Sequence, residues 1–374
     1  MRMKQAIFGA GINGGILYTA ALRGGVPIDF FIDDFSSRNT YYDIPVFRVE
    51  EINPHETEVY ISIFQGKNGR LCSDELKAEL KSRGFISVST FEKTFYKWPG
   101  IGQAFAENSY LWMRSDHKLM LDDNKIAVFA NMLSDQKSRD LLQTIVSFRK
   151  TLDAVHYPMP ESSIQYFPDD IPLFSEFDKL CFIDGGAFTG DSVVAAIEAC
   201  DRLEKAVSAI VSFEPNQNNQ VQLRHEMSIQ KQNKQDTIFA IYPCALWSET
   251  KTLSLKSDAQ SSAIKSVFPK DCDCSSVCGT SIDDTLFSMA PNYIKLDVEG
   301  AEAEALKGAI RTIKTFRPVL AVCLYHKPED LWEIPIQIYN ICSDYNMYLR
   351  LYGHMGIELV LYCVPVFKLE GILS

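Results

Sequence analysis

The stretch Cys181-Phe-Ile-Asp-Gly-Gly-Ala-Phe-Thr-Gly190 decides how this chain is read. An apolar run of strand length ends in an acid, turns through glycines and enters a helix-like segment at Asp191. Two later runs end in a similar way, Ser212-Phe-Glu-Pro215 and Lys295-Leu-Asp-Val-Glu-Gly300. In an open parallel sheet, ligands bind outside the carboxyl ends of the strands. Asp184, Glu214 and Asp297 are therefore expected to line one crevice that holds a cofactor.

Working outward, strands are expected at Leu180–Ile183, Ala209–Phe213, Thr237–Ile241, Tyr293–Leu296 and Val319–Leu324. Helices are expected at Asp191–Ala199, Asn216–Gln230, Ala301–Thr312 and Glu329–Tyr345, and a final strand pair at Met347–Leu351 and Leu359–Cys363. The first ninety residues repeat the alternation on a smaller scale. Strands are expected at Lys4–Phe8, Ile28–Ile32, Val59–Ile63 and Phe85–Val88, with helices at Asn13–Arg23 and Ser73–Ser82. Strands alternating with helices argue for parallel sheets and an α/β fold class. Between these regions Leu141, Leu142, Ile145, Val146 and Phe148 give Asp135–Leu152 helical periodicity, and four prolines make Tyr157–Pro172 irregular. The expected organisation is a small Rossmann-like domain over 1–91, a mostly helical bridge over 92–178 and a larger α/β domain over 179–374.

A chain of 374 residues is long for one core, which agrees with more than one domain. The net charge of −11, without a Lys/Arg cluster, argues against nucleic acid as a partner. No apolar run reaches the roughly 18–20 residues that cross a bilayer, so no membrane span is expected. The N-terminal residues enter a strand and a glycine turn directly, and no signal peptide is expected. The ten cysteines are scattered and several lie in apolar runs, as reduced core thiols of a cytoplasmic protein would. A homo-oligomer is left open.

The glycine turn carries chemistry as well as topology. Gly185, Gly186 and Gly190 keep side-chain bulk away from the strand end, and a helix N-terminus just beyond offers donors to a carboxylate. Glu214 closes the next strand, where a carboxylate can accept two hydrogen bonds from a ribose diol. The pair marks a nucleoside and not yet a particular cofactor.

The second domain resembles the FkbM-type S-adenosylmethionine (SAM)-dependent methyltransferases. The segments that carry the resemblance are Phe182–Asp191, Ser212–Pro215, Ala245–Ser248, Thr280–Asp284, Tyr293–Glu302 continuing to Leu306–Gly308, and Arg317-Pro318. The family's usual opening resembles Asp-Val-Gly-Ala-Asn, where this chain has Asp-Gly-Gly-Ala-Phe. The resemblance implies a Rossmann-like class I methyltransferase fold with a mostly parallel seven-stranded sheet. It implies SAM as cofactor, held by Asp184, Gly185, Gly186, Gly190, Glu214 and Asp297. It also implies O-methylation of a small-molecule or glycan acceptor, such as a nucleotide sugar.

An alcohol needs a base, or a metal that acidifies it, before it attacks a methyl group. His326 is the first candidate base, since it follows the strand Val319–Leu324 and an ordinary histidine titrates near neutrality. The alternative is a surface histidine opening a helix. Asp297 is the second catalytic candidate, and with Glu299 and His326 it could make a site for Mg²⁺. Lys295 shares a strand face with Asp297 by period two, so an ion pair between them is the bland alternative. Glu302 reads as a first-turn helix carboxylate facing the dipole. Asp283 reads as a helix cap and Trp247 as an adenine neighbour or a core residue. The run Cys272-Asp-Cys-Ser-Ser-Val-Cys278 reads as a loop with free thiols, because a structural zinc site wants a fourth ligand.

Gly9-Ala-Gly-Ile-Asn-Gly14 is a GxGxxG between a strand and a helix, followed by Asp33. Gly9, Gly11, Gly14 and Asp33 thus form a second nucleotide-like constellation. With Phe31-Ile-Asp-Asp34 and Ile44-Pro-Val46 the segment resembles the small N-terminal domains of nucleotide-sugar acetyltransferases, which implies nucleotide-sugar binding. The other reading of this turn is glycine kept for helix–strand packing. An NAD-dependent oxidoreductase centred on this turn and a non-catalytic nucleotide-binding module are the rival functions.

Overall fold

The computed structural model describes residues 2–64, 73–175, 177–257, 262–265 and 274–366. The chain forms two compact units, one of residues 1–120, 143–160 and 353–357, the other of 121–142, 161–352 and 358–374. In chain order the elements begin β1 (Lys4–Phe8), α1 (Ile12–Arg23), β2 (Phe30–Ile32), β3 (Thr40–Tyr41), β4 (Ile44–Phe47) and β5 (Thr57–Ile61). There follow α2 (Ser73–Ser82), β6 (Ser87–Ser89), α3 (Phe91–Lys97), α4 (Ile101–Glu107), α5 (Asp123–Met132) and α6 (Gln136–Thr151).

In the first unit these strands make one sheet in the order β3-β4-β2-β1-β5-β6. All its pairings are parallel except β3 with β4. Ala6, Phe8, Phe30, Ile32, Val59 and Ile61 point from it into a core closed by Leu76 and Leu80 of α2. β1 and α2 have the expected ends, the other expected strands and helices appear with shifted ends, and β3 and β4 are additions. The stretch expected as a bridge supplies α3 and α4 to this unit and α5 to the other.

The second unit continues with β7 (Lys179–Gly185), α7 (Asp191–Arg202), β8 (Ala206–Phe213), α8 (Gln217–Asn233) and β9 (Ile238–Tyr242). Then come β10 (Ala245–Leu246), β11 (Lys251–Ser257), β12 (Ser262–Lys265), β13 (Ser275–Thr280), α9 (Ile282–Thr285) and β14 (Tyr293–Leu296). It ends with α10 (Glu302–Lys307), α11 (Ile310–Phe316), β15 (Val319–Cys323), α12 (Asp330–Ile341), β16 (Tyr345–Leu351) and β17 (Leu359–Pro365).

Leu180–Ile183 are all buried, as in a parallel strand covered on both faces. Val193, Ala196, Ile197 and Cys200 are buried along one stripe of α7, at the spacing of an amphipathic helix. The main sheet has seven strands in the order β16-β17-β15-β14-β7-β8-β9. Its β15-β14-β7-β8-β9 block is parallel, and β17 is antiparallel to both neighbours. From β7 the chain winds outward through β8 and β9, then returns to the other side as β14 and β15. The order therefore reverses between β7 and β14, which is where an open α/β sheet leaves a crevice.

Three expectations are corrected. The helix expected over Ala301–Thr312 is two helices, with a break at Gly308, whose carbonyl accepts from Asp283 N at 2.8 Å. The helix expected to reach Tyr345 stops at Ile341, and Tyr345 opens β16. The segment read as a cysteine loop contains β13, part of a second sheet in the order β10-β13-β11-β12. Cys278 is a free thiol there, and Cys272 lies outside the described residues.

Candidate active site

The three acids end adjacent strands. Asp184 lies in β7, Glu214 follows β8 and Asp297 follows β14, and β14, β7 and β8 are neighbours. The expectation of one crevice thus has its topology, but the acids differ in what holds them.

Asp184 is fully buried and faces Lys295, its cross-strand register partner. Lys295 Nζ stands 3.1 Å from Asp184 Oδ1 and donates to Gly186 O at 2.7 Å. Ser192 Oγ donates to Asp184 Oδ2 at 2.6 Å. Burial opposes the lysine's charge, but Asp184, Asp297 and Asp191 hold its pKa above the ordinary value. Asp184 therefore fixes the glycine turn through Lys295. The ion pair that the strand periodicity suggested for Asp297 is made by Asp184 instead.

The turn itself is tight. Gly186 has φ +75°, and a Cβ there would lie 1.9 Å from Asp297 O. Gly185 is confined by Leu246 and Leu296, and Gly190 sits at the N-cap of α7. The glycines thus let the turn lie against the end of β14.

Glu214 is buried, and its carboxylate is already organised. Oε2 accepts from Phe188 N at 2.9 Å, while Oε1 accepts from Asn216 N at 2.8 Å and Asn219 Nδ2 at 3.4 Å. Burial raises its pKa, and those amides work against the rise. An ionised carboxylate has about four acceptor positions, so these three donors leave capacity for a ligand hydroxyl.

Asp297 is half-buried and accepts two tyrosine hydroxyls, Tyr166 OH on Oδ2 at 2.9 Å and Tyr325 OH on Oδ1 at 3.0 Å. His326 is buried, not on the surface. Its Nε2 stands 3.4 Å from Asp297 Oδ1 and 3.5 Å from Glu299 Oε2, and its Nδ1 stands 2.9 Å from Glu302 Oε1. Burial by itself lowers an imidazole's pKa, but Glu302, Glu299 and Asp297 overcome it and raise His326 to about 10. In this arrangement His326 carries a proton at neutral pH, unlike the neutral base its unperturbed pKa suggested. Asp330, also buried, is pushed up to about 7 by burial and by Glu302.

Sequence reasoning missed Tyr166, Tyr325 and Glu302 as members of this cluster. Tyr325 adjoins His326 and could have been noticed. Glu302 does lie in the first turn of α10, but its Oε1 accepts from Val298 N at 2.9 Å and its side chain faces His326. Tyr166 comes from the irregular proline-rich stretch and carries no local signal. Asp283 caps α11 rather than its own helix, accepting from Arg311 N and Thr312 N at 2.8 Å each. Trp247 is buried.

In the first unit the glycine turn holds itself together. Ala10 N donates to Asp33 Oδ2 at 2.9 Å, and Phe35 N and Ser36 N donate to Oδ1 at 3.0 Å each. A Cβ on Gly14 would lie 1.9 Å from Gly9 O, and Tyr41 OH donates to Gly11 O at 3.2 Å. The close approach of Gly14 to Gly9 O needs a residue without a side chain, and Asp33 spans the loops that flank the turn.

Residues 184–354 match the family model described as Methyltransferase FkbM domain. The crystal structure of Methyltransferase FkbM from Methylobacillus flagellatus KT is similar in fold, with a TM-score of 0.60 at 21% identity. That similarity covers 97% of this chain and 90% of that one. The structure of the citrinin polyketide synthase CMeT domain aligns over 82% of this chain and 75% of that one at 10% identity, with a TM-score of 0.27 that carries no argument. No curated protein matches the sequence. No helix among the described residues is long and apolar enough to cross a membrane. Residues 184–354 are thus similar to the FkbM methyltransferase domain and lie within a longer α/β chain.

Proposed function

We propose that the second unit is a SAM-dependent O-methyltransferase acting on a hydroxyl of a carbohydrate or related natural product. The observation that carries this reading is the organised Glu214 carboxylate at the end of β8, beside the glycine turn that ends β7. Its two oxygens are fixed by the amides of Phe188 and Asn216 and keep acceptor capacity, which suits a ribose diol. Gly185, Gly186 and Gly190 would take the backbone past the amino-acid end, and Asp184 holds their turn in place through Lys295. When bound, SAM supplies a methyl group activated by a sulfonium.

The chain's own task is alignment and proton removal. Asp297 is the better base of the two candidates, because His326 already carries a proton at neutral pH. The acceptor hydroxyl would give its proton to Asp297, and His326 would hold that carboxylate's position and charge. Tyr166 and Tyr325 orient the same carboxylate from two sides.

The test is transfer of labelled methyl from SAM to a panel of glycans and nucleotide sugars, with SAM affinity measured by calorimetry. The expected result is an O-methyl product and a fall in turnover of about 100-fold or more in Asp297→Asn, the scale of general-base removal. Absence of SAM binding would end the reading. Binding with transfer only to non-carbohydrate acceptors would end the substrate assignment.

A further inference from the structure

Two cysteines meet on the second sheet, near the candidate site but outside it. β10 pairs in parallel with β13, Ala245 opposite Gly279 and Leu246 opposite Thr280. Cys244 directly precedes β10 and Cys278 lies in β13, each one step before the first of these pairs. Ala245 and Gly279 are buried, so strand alternation turns the two cysteine side chains to the other face together. There Cys278 is exposed and Cys244 half-buried, and both are free thiols. The Cys244 thiol is a hydrogen-bonding neighbour of Cys278. Neighbouring strands run about 4.7–4.9 Å apart, within the Cα separation of about 4.4–6.8 Å that a disulfide spans. The backbone spacing therefore already suits a bond between them.

We propose that Cys244 and Cys278 are a reversible thiol-oxidation site whose product is the Cys244–Cys278 disulfide. The oxidant is a small-molecule disulfide of the glutathione class. The Cys278 thiol loses its proton, and the thiolate attacks one glutathione sulfur. The glutathione S–S bond breaks, a mixed disulfide forms on Cys278 and one glutathione leaves as its thiol. Cys244 then loses its proton and attacks Cys278 Sγ, and the second glutathione leaves as a thiol. Two protein thiols are oxidised, one disulfide is reduced, and the two protons end on the two glutathiones. Burial, and the Cys278 thiol beside it, push Cys244 up to about 11, so Cys244 keeps its proton while the exposed Cys278 meets the oxidant. Cys181, Cys200, Cys323 and Cys363 are buried and lack that access. The pair also adjoins the candidate site. Tyr242 O, two residues before Cys244, accepts from Glu214 N at 3.2 Å. Leu246, two residues after Cys244, confines Gly185, where an added Cβ would lie 2.7 Å from Leu246 Cδ1. The disulfide would anchor to β13 a segment that touches both Glu214 and Gly185. A consequence for SAM rests on the methyl-transfer reading; the disulfide itself does not.

The experiment uses the full folded chain, reduced with dithiothreitol and desalted. It is equilibrated in glutathione buffers of rising oxidised-to-reduced ratio, quenched with iodoacetamide and mapped by mass spectrometry of non-reduced peptides. The Cys244–Cys278 crosslink is expected as the first disulfide to form, with the chain lighter by two hydrogens, and dithiothreitol should return both thiols. Cys244→Ser should stop at a glutathione adduct on Cys278, and Cys278→Ser should give neither that adduct nor the crosslink. Circular dichroism reports that both variants are folded. Alkylated Cys244 and Cys278 throughout the glutathione series overturn the inference, and so does pairing of Cys278 with a different cysteine. A stable glutathione adduct in the wild type, without the crosslink, overturns it as well. SAM affinity of the reduced chain reads the functional proposal separately. A reduced chain that forms the crosslink but does not bind SAM removes that proposal alone.

Discussion

Lys295 Nζ and Asp184 Oδ1 stand 3.1 Å apart across β14 and β7, in a pair almost closed to solvent. The ammonium also reaches Gly186 O, so one side chain ties an acid, a strand end and the glycine turn together. Removing one partner of such a pair leaves the other charge buried alone. Lys295→Met is therefore expected to cost about 3–5 kcal/mol of unfolding free energy, read by urea denaturation. A loss below 1 kcal/mol would mean that the pair does not organise the turn.

His326 sets a pH dependence of stability. Its folded-state pKa, about 10, lies above the unperturbed 6.5, so protonation favours the fold. That contribution is fully present below about pH 6.5 and is lost as pH rises through about 10. One pKa unit corresponds to about 1.4 kcal/mol. The wild type should therefore lose more than about 1 kcal/mol relative to His326→Gln between pH 6 and 10. Parallel stability curves for the two proteins would show that the histidine is not held as an imidazolium.

Gly186→Ala tests the turn directly. Its φ of +75° disfavours any side chain, and the added Cβ would lie 1.9 Å from the backbone oxygen of Asp297. The two strand ends would have to separate. A drop in melting temperature of several degrees is expected, together with weaker SAM binding. Unchanged melting and unchanged affinity would place the acid-tipped strand ends further apart than described.

The strands that position the site were legible because they are continuous apolar runs buried on both faces. Leu180–Ile183 and Val319–Cys323 read this way, as does Tyr293–Leu296 but for Lys295, and each belongs to the parallel block. The sheet of β10–β13 was missed because β11 is rich in Ser, Thr and Lys and β10 has only two residues. Only Leu253 and Leu255, both buried, mark the alternation in β11. The partner of Lys295 was misread for a different reason. Strand periodicity places Lys295 and Asp297 on one face, but the contact with Asp184 is set by cross-strand register, which a sequence does not display. Tyr166 reaches Asp297 from 131 positions away, so nothing local could pair them.

Glu214 carries the cofactor reading, and its substitution separates binding from folding. Its carboxylate is held by amide donors, so Glu214→Gln removes charge while keeping shape and one acceptor oxygen. A hydrogen bond to a charged group contributes about 1.5–3 kcal/mol. SAM affinity is therefore expected to fall by roughly 10- to 150-fold at 25 °C, measured by calorimetry. The melting temperature should fall less than in Gly186→Ala, because one amide keeps its acceptor and no backbone is displaced. A SAM isotherm in Glu214→Gln that overlays the wild type would take this carboxylate out of the ribose site, and with it the observation on which the methyl-transfer proposal stands.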